Sequence, residues 1–215
     1  MPVIKISDDS FQAVPVFPLS GLSLFPHMNL PLHIFEPRYV AMLQYALEHD
    51  KLIAIADVEP QADNPTLPPV LGAGVVLKVK ELPGSRFNVL MHGITRLKLI
   101  EERPQIHSFR QAHAEILMNE QDPEEELLER DLLARDLITQ LAELHPPERE
   151  ALIERLDHCP TPELLSEVAS ARLLRDLLRR REAFGTLSPA RRLDVLNEGL
   201  GELLLSVAGV VGEAH

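Results

Sequence analysis

The ten residues LPLHIFEPRY, positions 30–39, bring His33, Glu36, Arg38 and Tyr39 together among two prolines and four large apolar side chains. A histidine three positions from a carboxylate is the material of an acid–base pair, with Arg38 or Tyr39 to meet a developing oxyanion. Such a site also needs a reacting group, and the only nearby hydroxyl nucleophiles are Ser20 and Ser23. In extended chain His33 and Glu36 project to opposite faces, which separates the pair. The stronger reading is structural: Leu32, Ile34 and Phe35 plug a core, while Glu36 and Arg38 hold a strand-to-helix corner by charge-assisted hydrogen bonds. On this reading no residue is catalytic. The alternative is a small-ligand or catalytic site around His33, Glu36 and Arg38, which requires the three side chains to converge in one pocket.

Metal chemistry fares no better. His33-x-x-Glu36 and His107-x5-His113 approach ligand spacing, but neither finds a third ligand on a defined face, and nine histidines in 215 residues give chance pairs. No metal and no cofactor is expected. The lone Cys159 excludes an internal disulfide and suits a reducing cytoplasm. The N-terminal MPVIKISDDS lacks the layout of a signal peptide, and no apolar run is long enough to span a bilayer. With a net charge of −12 the chain is a poor partner for nucleic acid or an anionic membrane, both of which call for clustered Lys and Arg.

The elements around these residues fall into two kinds. Prolines 15, 18, 26 and 31 forbid a helix over Val14–Leu32 and leave strand and turn. Tyr39, Met42, Leu43, Ala46 and Leu47 then take helical spacing behind Pro37, predicting one short helix over 37–49. Leu52–Val58 reads as a strand. Val75, Leu77 and Val79 alternate with Val76, Lys78 and Lys80, Pro83-Gly84-Ser85 supplies a turn, and Phe87, Val89 and Met91 resume the alternation, predicting a hairpin. Gly93 sits where a bulge is expected, Leu97 and Leu99 alternate with Arg96 and Lys98, and a last strand covers about 107–117. Short strands with one helix imply a mostly antiparallel barrel.

At Asp122 the character changes. Residues 1–118 carry 10 basic and 12 acidic side chains, 119–215 carry 11 and 21. Asp122-Pro123, Thr161-Pro162 and Ser188-Pro189 each read as a capping side chain before a first-turn proline. Leu128, Leu132, Ile138, Leu141 and Leu144 mark one inward face, Leu165, Val168, Ala169 and Leu173 another, and a shorter helix is expected over 148–157. Glu126 should pair with Arg130. The basic stripe Arg172, Arg175, Arg179, Arg180 and Arg181 is expected to pair mainly with acidic helices of the same half, a docking surface for an acidic partner being the alternative. Leu203–Val211 reads as the buried end of the last helix, or as a contact with a second copy. The fold class is therefore α+β, with a barrel subdomain at 1–118 and a helical bundle at 119–215.

Four stretches, VPVFPLSGLSLFPHMNLPLHIFEPRY, GAGVVLKVKELPGSRFNVLMHGITRLKLIEE, PELLSEVAS and SPARRLDVLNEGLGELL, resemble the N-terminal, substrate-recognition domain of the ATP-dependent Lon protease family. The resemblance covers nearly the whole chain. It implies a PUA-like β-barrel followed by a helical bundle, with Pro31, Leu32, Phe35, Glu36, Arg38, Tyr39, Gly93 and Arg96 as structural signature positions. Two departures stand out: His27 follows Phe25-Pro26 where the family usually has glycine, and Leu97 stands where an aromatic is common. The phosphate-cradling G-x-x-x-x-G-K-[ST] pattern does not occur in these 215 residues, so a stand-alone, non-enzymatic domain is expected. The implied partners are peptides or unfolded client proteins, with a protease or ATPase to work beside and a second copy of the chain as further candidates. Leu24, Phe25, Met28 and Leu30 form the candidate peptide-binding patch, since prolines deny that segment regular sheet pairing and leave its backbone open. A protein–protein scaffold is the remaining alternative.

Overall fold

In the computed structural model, which describes residues 11–60, 65–144, 150, 153–154 and 157–212, three of the four prolines over Val14–Leu32 sit within strands, and Pro26 lies in the connection between them. Pro15 and Pro18 lie in β1 (Val14–Ser20) and Pro31 in β2 (Asn29–Ile34). Among the described residues β2 pairs only with β5 and β1 runs beyond its pairing with β6 at Val16. Strand edges tolerate a residue without an N–H.

The remaining elements of this first unit, Met1–Met118, are α1 (Pro37–Glu48), β3 (Leu52–Val58), β4 (Val70–Leu82), β5 (Arg86–Glu102) and β6 (Arg110–Leu117). The six strands are ordered β2-β5-β4-β3-β1-β6, and a further β5–β6 pairing closes the sheet. Only β1 and β3 run parallel, because α1 lies between them in sequence as a crossover. β3 is almost fully buried: Leu52, Ala54 and Ala56 enter one apolar cluster with Val14, Leu71 and Leu97, and Ile53 and Ile55 enter another with Met42, Leu43 and Met91.

β5 serves two neighbours along one edge, β2 over Phe87–His92 and β6 over Arg96–Glu102. The change of neighbour falls at Gly93, where the register against β4 also shifts. Here the connection between β1 and β2 lies directly on the sheet. A Cβ on Gly93 would stand 2.1 Å from the carbonyl oxygen of Phe25, and one on Gly72 2.3 Å from that of Leu24. Gly93 N–H donates to Met28 O, and His27 N–H to Gly93 O, each at 2.8 Å. His27 has φ 64°, the left-handed region, which explains why glycine suits this position. His27→Gly is expected to raise stability by up to about 1 kcal/mol, read from the urea midpoint; an unchanged or lower midpoint would assign the imidazole a compensating role.

Two expectations for the barrel need correcting. The inward row Val75, Leu77, Val79 breaks at a register shift between Val76 and Lys78, so Val75 and Val76 are both buried and Leu77 and Val79 are exposed near the hairpin tip. The alternation of Arg96 with Leu97 does not separate them by face: both are buried, Arg96 2% exposed with its guanidinium 5.6 Å from the Phe25 ring centroid.

The second unit, Asn119–His215, contains α2 (Glu124–Leu144), α3 (Pro162–Leu173), α4 (Leu177–Gly185) and α5 (Pro189–Gly212), with α5 packed against the other three. Most of 148–157 lies outside the described residues. Thr161 caps α3 by accepting from Leu164 N–H, and Ser188 accepts from Arg191 N–H at the start of α5. Asp122 caps a different helix from the one expected. Its carboxylate accepts from Ser188 Oγ–H and Ala190 N–H, both at 2.7 Å, and so ties the start of α2 to that of α5. The run after Arg172 is a separate helix, α4, because Asp176 accepts from Arg179 N–H and restarts it.

The inward face of α2 is also offset from the leucine reading. Leu127, Asp131, Ala134, Ile138 and Leu141 are buried, whereas Leu128, Leu132 and Leu144 are exposed. Asp131 is tolerated inside because Arg135 grips both its oxygens at 2.7 and 3.1 Å. Arg130 meets Glu126 at 3.5 Å and Asp194 at 2.8 Å, and Arg179 meets Glu198 and Glu202 on α5. Leu205 is exposed, while Leu203 and Leu204 are half-buried. At the centre lies Arg192, fully buried. It pairs with Glu167 at 2.7 Å and donates to Ser166 Oγ, Ala183 O, Thr186 O and Asn119 Oδ1. No helix among the described residues is long and apolar enough to cross a membrane.

Candidate functional site

The corner between β2 and α1 opens onto a cleft of about 540 Å³ in the first unit. One wall is β1 from Val16 to Ser20; the other is the run His33–Glu36 with Arg38 and Tyr39; the rim is completed by Glu59, Pro65, Gln105, Ser108 and Arg110. The corner forms as its sequence requires. Pro37 occupies the first turn of α1, and the carbonyl of Glu36 accepts from Tyr39 N–H and Val40 N–H, both at 2.9 Å.

The charged side chains of the opening motif are turned to one another rather than to a shared point. Glu36 and Arg38 pair at 2.9 Å on the surface, and the Arg38 guanidinium stands 4.5 Å from the Tyr39 ring centroid. The Glu36 side chain makes no capping bond, so the corner is held by its backbone and by this pair. His33 Nδ1 lies 2.7 Å from Asn88 Oδ1 across the β2–β5 ladder. Tyr39 is buried against Phe17, ring centroids 4.3 Å apart. Burial raises its phenol pKa above the ordinary value, against the opposing pull of Arg38, so it remains a neutral donor at neutral pH. Arg110, at the opposite wall, holds both oxygens of Glu102 at 2.6 Å and donates to Pro65 O at 2.7 Å. Among the described residues no group of three His, Cys, Asp or Glu side chains gathers as a metal site would require.

Apolar surface at the cleft comes from a residue expected to be inside. Phe35 is 58% exposed, because Ile34, not Phe35, takes the inward position at the end of β2. Ile106, between the lining residues Gln105 and Ser108, is 80% exposed. Conversely, Leu24 and Phe25 are 2% and 0% exposed on the glycine-lined sheet, and Met28, Leu30 and Leu32 pack at the margin of the same core cluster. Of the candidate patch only Met28 and Leu30 keep partial exposure, with Pro31 beside them on β2. Gln105, Ser108 and Arg110 carried no sequence signal, since they reach the cleft from the approach to β6, some seventy residues beyond the motif.

A closed, mainly antiparallel sheet with one crossover helix, followed by a helical unit, is the fold of solved Lon N-terminal domains. The N-terminal domain of the Mycobacterium avium complex Lon protease aligns with a TM-score of 0.69 at 16% identity, covering 88% of this chain and 98% of that one. The Lon N-terminal domain protein from Xanthomonas campestris gives 0.64 at 18%, covering 86% and 96%. The family model of the ATP-dependent protease La (LON) substrate-binding domain matches residues 13–200, and the chain belongs to that family. Similar full-length relatives include the Lon protease of Desulforamulus reducens, 26% identical over 88% of this chain and 24% of that protein. The Escherichia coli K12 Lon protease is 27% identical over 74% of this chain and 21% of its own length. The chain thus spans about a quarter or less of these curated relatives.

Proposed function

We propose that the chain is a non-enzymatic, Lon-type recognition module that takes extended segments of peptides or unfolded client proteins into the cleft at the β2–α1 corner, acting as an adaptor or regulator of proteolysis. The observation that carries this reading is the character of the cleft: it is open, Glu36 is paired with Arg38 and Arg110 with Glu102, and Phe35 stands exposed on its wall. Such a surface offers apolar contact and hydrogen-bonding groups to a passing chain without a free acid–base pair. The pairing of Glu36 with Arg38 and of His33 with Asn88 counts against a catalytic use of the three. The reading includes a cytoplasmic setting and a protease or ATPase partner, and neither nucleic acid nor membrane.

Isothermal titration with reduced, carboxymethylated casein and with unstructured peptides tests it. Phe35→Ser should lower affinity about tenfold with an unchanged melting temperature, because an exposed aromatic contributes to binding and little to folding. Absence of binding at high micromolar concentration, or an unaltered affinity in Phe35→Ser, would sink the proposal.

A further inference from the structure

A second surface adjoins the cleft at His33 but lies on the outer side of β2, β5 and β4. There a shallow groove of about 760 Å³ is lined by nine residues, none of them acidic, in a chain whose net charge is −12. The strand registers set its order. Lys78 lies opposite Leu90, which lies opposite Pro31; Lys80 lies opposite Asn88, which lies opposite His33. Two parallel rows therefore cross three strands, each headed by an exposed lysine. Neither lysine takes part in an ion pair among the described residues, although the other basic side chains at the nearby cleft do.

The spacing points to the ligand. Lys78 and Lys80 stand two residues apart on one face of one strand, about 6.8 Å along it. Carboxylates at alternate positions of an extended polypeptide repeat at the same distance. Leu90 and Pro31 offer apolar contact along the first row, and in the second His33 donates its Nδ1–H to Asn88, leaving Nε2 to accept a hydrogen bond. A polyphosphate backbone would bring many more charges than two lysines neutralise, against a protein that is itself strongly anionic.

We infer that the Lys78/Lys80 face docks an acidic, extended segment of a partner protein, with carboxylates at positions i and i+2. This site shares only His33 with the cleft's lining and does not rest on the cleft's proposed role. The test is fluorescence anisotropy at low salt with a labelled probe peptide, Gly-Ser-Glu-Val-Glu-Ser-Glu-Val-Glu-Ser-Gly, and its counterpart carrying Gln for every Glu. The Glu peptide should bind at least about tenfold tighter than the Gln peptide, and weaken as salt shortens the Debye length. Lys78→Glu with Lys80→Glu should remove the difference without altering the melting curve, since both side chains are exposed. Phe35→Ser should leave Glu-peptide binding intact, so a failure here is distinguishable from a failure at the cleft. Equal affinity for the two peptides, insensitivity to the double reversal, a parallel loss in Phe35→Ser, or displacement of the peptide by an equimolar single-stranded oligonucleotide would each overturn the inference.

Discussion

Arg192→Ala is expected to cost the helical unit about 3–5 kcal/mol, a large share of a domain's ordinary stability. The side chain is fully buried and its guanidinium gathers separate parts of the chain at one point: Asn119 before α2, Ser166 and Glu167 on α3, Ala183 on α4 and Thr186 after it. Removing it takes the 2.7 Å ion-pair partner from the Glu167 carboxylate, itself buried, and a donor from each of two backbone carbonyls. Loss of the buried ion pair is the largest of these terms. Arg192→Lys should recover little, because one ammonium cannot reproduce the planar fork that reaches five acceptors. Adding Glu167→Gln to Arg192→Ala should restore part of the loss by neutralising the buried carboxylate that Arg192 pairs. Urea unfolding followed at the helical circular-dichroism band measures all three, and a loss below about 1 kcal/mol in Arg192→Ala would contradict the hub.

Gly93→Ala is the corresponding change in the barrel, with an expected loss of about 3 kcal/mol or more. The new methyl would meet the carbonyl oxygen of Phe25 at 2.1 Å, and that oxygen belongs to backbone rather than to a movable side chain. Relief would require lifting the Leu24–Met28 connection from the sheet, breaking the two backbone bonds at Gly93 and uncovering the fully buried Phe25. The measurement is the unfolding midpoint together with amide exchange at His27 and Gly93, both of which should lose protection. Retained protection with a small change in midpoint would mean that the connection shifts as a body and is not anchored there.

The strand and helix content of the barrel was legible because its local signals agree. Pro37 at a helix start, the Pro83-Gly84-Ser85 turn and the break at Gly93 are each fixed by backbone chemistry that tertiary packing does not override. Side-chain direction was less legible. A one-residue irregularity near Leu77 inverts the alternation that follows, and Arg96 goes inside because Phe25, seventy residues away, supplies its neighbour. On α2 the leucines misled because the bundle accepts Asp131 with Arg135 on its inner face, so the inward stripe is only partly apolar. The Glu36–Arg38 corner could be anticipated from adjacent residues; the cleft could not, since its far wall comes from a distant loop. Phe35 illustrates the general difficulty: the end of a strand decides which of two neighbouring apolar residues turns in, and that is settled by the partner strand.

The division of β5 between two neighbours bears on how the chain reaches its native state. The β4–β5 hairpin closes locally, whereas β2 must find β5 across 55 residues, measured from His33 to Asn88. β6 follows β5 closely in sequence and seeks the same side of it. Early in folding the nearer strand can zip too far along that shared side and occupy the place of the more distant one, which makes slow recovery from misregistered chains the expected kinetic cost. Gly93 is where such zipping has to stop, and so it separates two assembly steps as well as two neighbours.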